Sequence, residues 1–165
     1  MEFIHGKGII HRDLKLENIF LRRVGKGRYV CKIGDFGLAR PIDGEETAFT
    51  NCGTESYMAP EILKGRPYGK QADVWSLGVL YYYLLMGDFP FKGINLLDQI
   101  STRCANGFTL AFPLPQQHPK SQPNSKDIAN LGDFFGRVFE PDPTSRITIR
   151  QMLVHPLLKR DNDMA

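Results

Sequence analysis

The run Gln71 to Met86 limits the folds open to this chain more than any other segment. Val74, Leu77, Gly78, Tyr81, Leu84 and Leu85 recur at helical spacing, and Leu80 and Tyr82 fall on the opposite side. The spacing predicts a helix that is apolar nearly all round. Such a helix belongs in the middle of a domain, covered on every side by other elements. Its most apolar part, Val74 to Met86, contains Ser76 and three tyrosines. It is too short to cross a bilayer, so burial within protein is expected.

The covering elements are legible around it. Residues 1–8 read as the last turns of a helix, ended by Gly6 and Gly8. Ile19-Phe20-Leu21 and Tyr29-Val30-Cys31-Lys32-Ile33 read as two short strands, with Gly25-Lys26-Gly27 as the turn between them. Residues 38–58 show no helical period and read as a long loop. Asn95–Cys104, Ile128–Phe139 and Thr148–Val154 read as further helices, the last stopping near Pro156. Between Gly107 and Lys126, Pro113, Pro115, Pro119 and Pro123 stand among polar residues and mark a connector. The fold expected is mainly α with one small β-hairpin and no internal repeat.

Composition excludes several classes of function. At 165 residues the chain is long enough for one domain with a real core, and its 42% hydrophobic and 24% charged residues fit an ordinary globular protein. A net charge of +3 is too small to argue for a nucleic-acid or membrane partner. The densest basic stretch, Arg22, Arg23, Lys26 and Arg28, reads as a solvated hairpin. Cys31, Cys52 and Cys104 are odd in number, widely spaced and without metal-ligand spacing. They read as reduced thiols of an intracellular protein, cytoplasmic or nuclear. The N-terminus lacks the apolar core of a signal peptide.

The chemistry lies in three short segments. His11-Arg12-Asp13-Leu14-Lys15-Leu16-Glu17-Asn18 is followed by Asp35-Phe36-Gly37 and then by Ala59-Pro60-Glu61. In this order and spacing they resemble the catalytic loop, metal loop and activation segment of a eukaryotic protein kinase. The resemblance runs through nearly the whole chain, to His155-Pro156-Leu157-Leu158. It implies a partial kinase domain, its C-terminal lobe, over residues 1–158, and a polar tail over 159–165.

What the resemblance implies is specific by position. Asp13 matches the aspartate that accepts the substrate hydroxyl proton, and Lys15 the cation that reaches the transferring phosphate. A lysine there is similar to serine/threonine kinases, whereas tyrosine kinases differ. Asn18 and Asp35 match magnesium ligands, and hard oxygen donors suit that ion. Phe20 matches the floor of the adenine pocket, so ATP and Mg2+ are the expected cofactors. Arg12 marks enzymes switched on by phosphorylation. Thr50 stands at the spacing of the phosphorylated residue, with Thr47 as second choice, and Arg12 and Arg40 are placed to clamp its phosphate. Gly53 and Thr54 match the start of a platform for a protein substrate, and Glu17 a contact to a basic substrate residue. Tyr83 stands where kinases preferring basic substrates often carry a second glutamate. Glu61 and Arg146 match a buried structural ion pair. Asp73 matches a helix residue that bonds the catalytic-loop backbone, and His11 and Phe36 match an apolar stack beneath it.

The chain begins ten residues before His11. The family's glycine-rich phosphate loop, strand lysine and helix glutamate have no match in it. Turnover by these 165 residues alone is therefore expected to be weak or absent. The expected partners are a protein substrate, an N-terminal lobe in a longer chain, and an activating kinase or a second copy acting in autophosphorylation. The alternative expectations are a non-catalytic interaction module and a truncated gene product.

Overall fold

Helix α3 (Lys70–Met86) forms the centre of the molecule, and Val74, Trp75 and Val79 along it have no exposed surface. The structure, a computed structural model, describes residues 1–42, 48, 52–110 and 124–158. Thr47, Thr50, the four prolines at 113, 115, 119 and 123, and the tail 159–165 lie outside the described residues. Before α3 come α1 (Glu2–Gly6), β1 (Ile9–Ile10), a 3-10 turn (Leu16–Asn18), β2 (Ile19–Gly25), β3 (Arg28–Ile33), β4 (Arg40–Pro41), a second 3-10 turn (Glu55–Tyr57) and α2 (Pro60–Leu63). After it come α4 (Leu96–Cys104), α5 (Ser125–Val138) and α6 (Ile149–Leu153). Among the described residues no helix is long and apolar enough to cross a membrane.

The core is aromatic. Phe91 stacks on Trp75 at 5.3 Å between ring centroids, and Phe139 meets Trp75 edge-on at 5.2 Å. Phe135 stacks on Phe139 at 5.6 Å, and Tyr82 and Phe108 close the cluster. Helix α5 reaches this cluster because Gly78 leaves room for it. A Cβ at Gly78 would lie 2.1 Å from Val138 Cγ1. Helices α5 and α6 begin on capping boxes, Asn124 with Asp127 and Thr148 with Gln151, so their start points are set by local hydrogen bonds.

The architecture differs from the sequence expectation in four places. Among the described residues there are two small antiparallel sheets rather than one hairpin: β2 pairs with β3, and β1 pairs with β4 through Ile9↔Pro41 and Ile10↔Arg40. The stretch read as a continuous loop over 38–58 therefore contains a strand and a 3-10 turn, both too short to leave a period in sequence. The β2–β3 hairpin runs through Arg22 and Arg23, since its pairing does not need alternating apolar residues once the turn sets the register. Helix α5 starts at Ser125, and helix α2 is a single turn with Pro60 at its start. The first turn of α5 is polar and exposed, so an apolar pattern cannot locate it.

Arg146 and Glu61 join the end of the chain to the segment before α3. Arg146 Nη1 and Nη2 donate to Glu61 Oε1 and Oε2 at 2.7 and 2.9 Å. Its remaining donors reach the carbonyls of Glu140, Gln71 and Pro141, and the guanidinium lies 5.0 Å from the Trp75 ring. Both side chains are almost fully buried, at 0% and 4% exposure. Replacing Arg146 with Met would leave the Glu61 charge buried alone, with an expected loss of about 3–5 kcal/mol in denaturant unfolding. Gly78→Ala is expected to cost about 1–3 kcal/mol despite the better helix propensity of alanine, because the 2.1 Å approach to Val138 forces the helices apart. A Gly78→Ala chain as stable as the parent would contradict this packing.

Candidate active site

The site is assembled where β1 ends. Arg12 has φ +71°, a left-handed conformation that non-glycine residues seldom occupy. It is held there by Asp73, which accepts the backbone N–H of His11 on Oδ2 and that of Arg12 on Oδ1, both at 2.9 Å. Asp73 is 2% exposed and lies in the first turn of α3, where the helix dipole favours a carboxylate. His5 Nε2 approaches the same Oδ2 at 2.8 Å. Leu14, 1% exposed, roots the segment in the core, while Glu17 stays exposed on the 3-10 turn.

The Arg12 turn brings Asp13 into a ring of donors. Thr54 Oγ1 donates to Asp13 Oδ1 at 3.1 Å, and Lys15 Nζ lies 2.7 Å from Oδ2 and 3.1 Å from Thr54 Oγ1. Asn18 Nδ2 donates to the Asp13 carbonyl at 2.9 Å and to its Oδ2 at 3.3 Å. Burial alone would push the Asp13 carboxyl up. The hydrogen bonds from Lys15, Thr54 and Asn18 and the Lys15 charge outweigh it and hold the carboxyl below its ordinary 3.8. Lys15 is pushed above its ordinary 10.5, chiefly by its hydrogen bond to Asp13.

Asn18 and Asp35 present unused oxygens. The amide nitrogen of Asn18 is committed to Asp13, while its Oδ1 accepts no hydrogen bond among the described residues. Asp35 has φ +53°, is exposed, and uses Oδ1 to accept the Gly37 N–H at 3.1 Å. The Asp35 charge adds to the upward push on Lys15. Beneath, the His11 and Phe36 rings meet edge-on at 4.8 Å. His11 Nε2 bonds the Gly34 carbonyl at 3.0 Å. The Phe20 ring lies against Gly34, where an added Cβ would come within 2.5 Å of it. The strand β2, the turn before Asp35 and the His11 segment are thus locked together.

A second cluster surrounds Arg12. Its Nε donates to the Leu38 carbonyl at 2.5 Å, and its buried Nη1 has no hydrogen-bond partner among the described residues. Arg40 lies opposite Ile10 across the β1–β4 pair and is exposed. Gly53 has φ +109°, and a Cβ there would stand 2.6 Å from the Arg12 carbonyl. Glycine is therefore required for the chain to pass so close. Thr50 lies outside the described residues.

A profile of the protein kinase domain matches residues 1–158. The chain belongs to the eukaryotic protein kinase family, serine/threonine type. It is 38% identical over 164 residues to "Protein kinase C delta type" of Rattus norvegicus, covering 98% of this chain and 22% of that protein, with the same values for the Homo sapiens protein. It is 38% identical over 162 residues to "Probable serine/threonine-protein kinase KCC4" of Saccharomyces cerevisiae (strain ATCC 204508 / S288c), covering 97% of this chain and 14% of that protein. The chain thus spans about a fifth or less of these relatives' length.

Two participants in the site of this kinase domain, and one residue of the Arg146 cluster, carried no signal in sequence. His5 joins Asp73, Tyr57 accepts the Leu16 N–H on its hydroxyl at 3.4 Å, and Gln71 ties the Arg146 and Ile147 carbonyls at 2.6 and 3.2 Å. Each acts across a gap of at least 41 residues. Asp13 and Lys15 also set a pH window. The stability that Asp13 contributes is present above its unfolded pKa and is lost as pH falls through its lower folded value, below 3.8. The Lys15 contribution is present below 10.5 and is lost as pH rises through its higher folded value. In a carboxyl-carbon NMR titration, Lys15→Met is expected to raise the Asp13 pKa, and Thr54→Val to raise it less. An unmoved Asp13 in Lys15→Met would mean that the 2.7 Å contact is absent in solution.

Proposed function

We propose that this chain is the C-terminal lobe of a serine/threonine kinase that transfers the γ-phosphate of ATP to a protein hydroxyl. The observation that carries the reading is the Asp13 carboxylate held by Lys15, Thr54 and Asn18. Phosphoryl transfer needs little covalent help. It needs an oriented nucleophile and neutralised phosphate charge. A carboxylate held below 3.8 is a weak base, suited to aligning the hydroxyl and receiving its proton late, as the oxygen bonds to phosphorus and ADP departs.

Each side chain then has a task. Asp13 accepts the hydrogen bond of the substrate hydroxyl. Lys15, already at the mouth, moves its charge to the phosphoryl group. Asn18 Oδ1 and Asp35 Oδ2 fit magnesium, being hard oxygen donors with no hydrogen-bond partner among the described residues, and the ion would neutralise phosphate charge there. Phe20 lies on the side of Gly34 where the adenine would rest. Gly53 and Thr54 begin the platform for the substrate chain, and exposed Glu17 attracts a basic residue near the acceptor. Thr50 is the regulatory site in this reading, phosphorylated by another kinase or by a second copy. The unpartnered Arg12 Nη1, with Arg40 across the short sheet, would receive its phosphate. The 165 residues hold no G-x-G-x-x-G sequence, so phosphate clamping and closure over the nucleotide fall to other parts of the kinase. The free thiols of Cys31, Cys52 and Cys104 accord with a reducing, intracellular setting.

In the kinase that carries this lobe, Asp13→Asn and Asp35→Asn are each expected to lower turnover by about 10²–10⁴-fold with an unchanged circular dichroism spectrum. Wild-type turnover in either would remove the assigned role. The 165-residue chain offers a readout that does not require turnover. Magnesium–ATP should shift the amide resonances near Asn18 and Asp35, and the Asp35→Asn chain should lose most of that response.

A further inference from the structure

The β2–β3 hairpin concentrates the positive charge of this chain. Residues 19–33 contain Arg22, Arg23, Lys26, Arg28 and Lys32 and no acidic residue. The remaining 16 basic residues face 18 acidic ones, so the chain outside the hairpin carries −2 against the overall +3. All five cations are exposed, and none lies within 4.0 Å of a carboxylate among the described residues. Exposed apolar side chains stand among them: Leu21 at 65%, Tyr29 at 58%, Val24 at 46% and Val30 at 42%. The proposed phosphoryl transfer uses none of these residues.

The register sorts the charges by face. Phe20, Lys32, Arg22 and Val30 share one face, and Leu21, Cys31, Arg23 and Tyr29 share the other. Arg22 and Arg23 are consecutive and so point to opposite sides of the sheet. A ligand lying on one face meets only one of them. A strand added along the outer edge of β2 meets both, because its own successive side chains alternate between the faces. That edge has no strand partner among the described residues, since β2 pairs only with β3. Carboxylates at adjacent positions of an added strand would meet one arginine on each face.

We propose that the outer edge of β2 is a docking site for an extended acidic segment of another protein, with paired carboxylates meeting Arg22 and Arg23 and an apolar residue meeting Leu21. The partner pairs through its backbone and is selected by charge. A nucleic acid is disfavoured, because its phosphates would follow one face and leave the other arginine unmet.

The test uses the 165-residue chain and a fluorescein-labelled decapeptide of Glu-Glu-Val repeats, read by fluorescence anisotropy. The triple variant Arg22→Gln, Arg23→Gln, Arg28→Gln is expected to bind about tenfold more weakly than the parent. A control with the same charge change elsewhere, Lys64→Gln, Arg66→Gln, Arg150→Gln, is expected to bind as the parent does. Singly, Arg22→Gln and Arg23→Gln should each weaken binding by about threefold, which reports on both faces even if the triple variant were destabilised. No binding by the parent, equal losses in the two triples, or a loss confined to one single variant would each overturn the proposal. Tighter binding of a labelled ten-nucleotide oligothymidine than of the peptide would overturn it in favour of a nucleic acid. None of these readouts depends on phosphoryl transfer.

Discussion

The buried carboxylate of Asp73 is the joint on which the site depends. It sits on the central helix, yet its two oxygens are spent on the backbone of His11 and Arg12 and on the His5 ring. A backbone turn in the left-handed region is unfavourable for arginine, and the two hydrogen bonds to a fully buried acid offset that cost. The position of Asp13 therefore follows from the position of α3 rather than from its own segment. The aromatic core around Trp75 fixes α3, and α3 in turn fixes the reacting end of the molecule.

The electrostatics of the site follow from this placement. Asp13 is 8% exposed, which would favour its neutral form, yet it is ringed by an ammonium, a hydroxyl and an amide that favour the charged one. The donors win, and the carboxyl is held below its ordinary value. Asp35 is the opposite case. It is exposed and holds only the Gly37 N–H, which leaves its outer oxygen available. One carboxylate is restrained by three side chains, and the other is left open to solvent.

Two ion pairs divide the remaining work. Glu61 and Arg146 bury their charge completely and join chain segments 85 residues apart, a structural tie with every arginine donor met. Lys15 and Asp13 form a pair at the surface of the site, with Lys15 retaining 23% of its side-chain exposure. The hairpin beyond β2 holds the third concentration of charge, all of one sign and all in solvent.

Much of this was legible in the sequence. The all-apolar spacing of Val74 to Leu85 announces the central helix. Asn95 and Thr148 stand at helix starts read from the sequence, whereas α5 begins at Ser125 on the Asn124 cap, before the Ile128 start that its apolar period suggests. The segment around Asp13, with Asp35 and Glu61, names the family because those residue types rarely recur at that spacing by accident. The β1–β4 pairing, the contacts of His5, Tyr57 and Gln71, the room that Gly78 leaves for Val138 and the close pass of Gly53 over Arg12 were not legible. Each joins residues far apart in the chain, and no local pattern encodes such a distance. The sequence by itself determined which chemical groups are present and which helices can form. Only the tertiary structure decided that Asp13 faces Lys15, Thr54 and Asn18 at once, because that geometry is set by α3 and its buried acid.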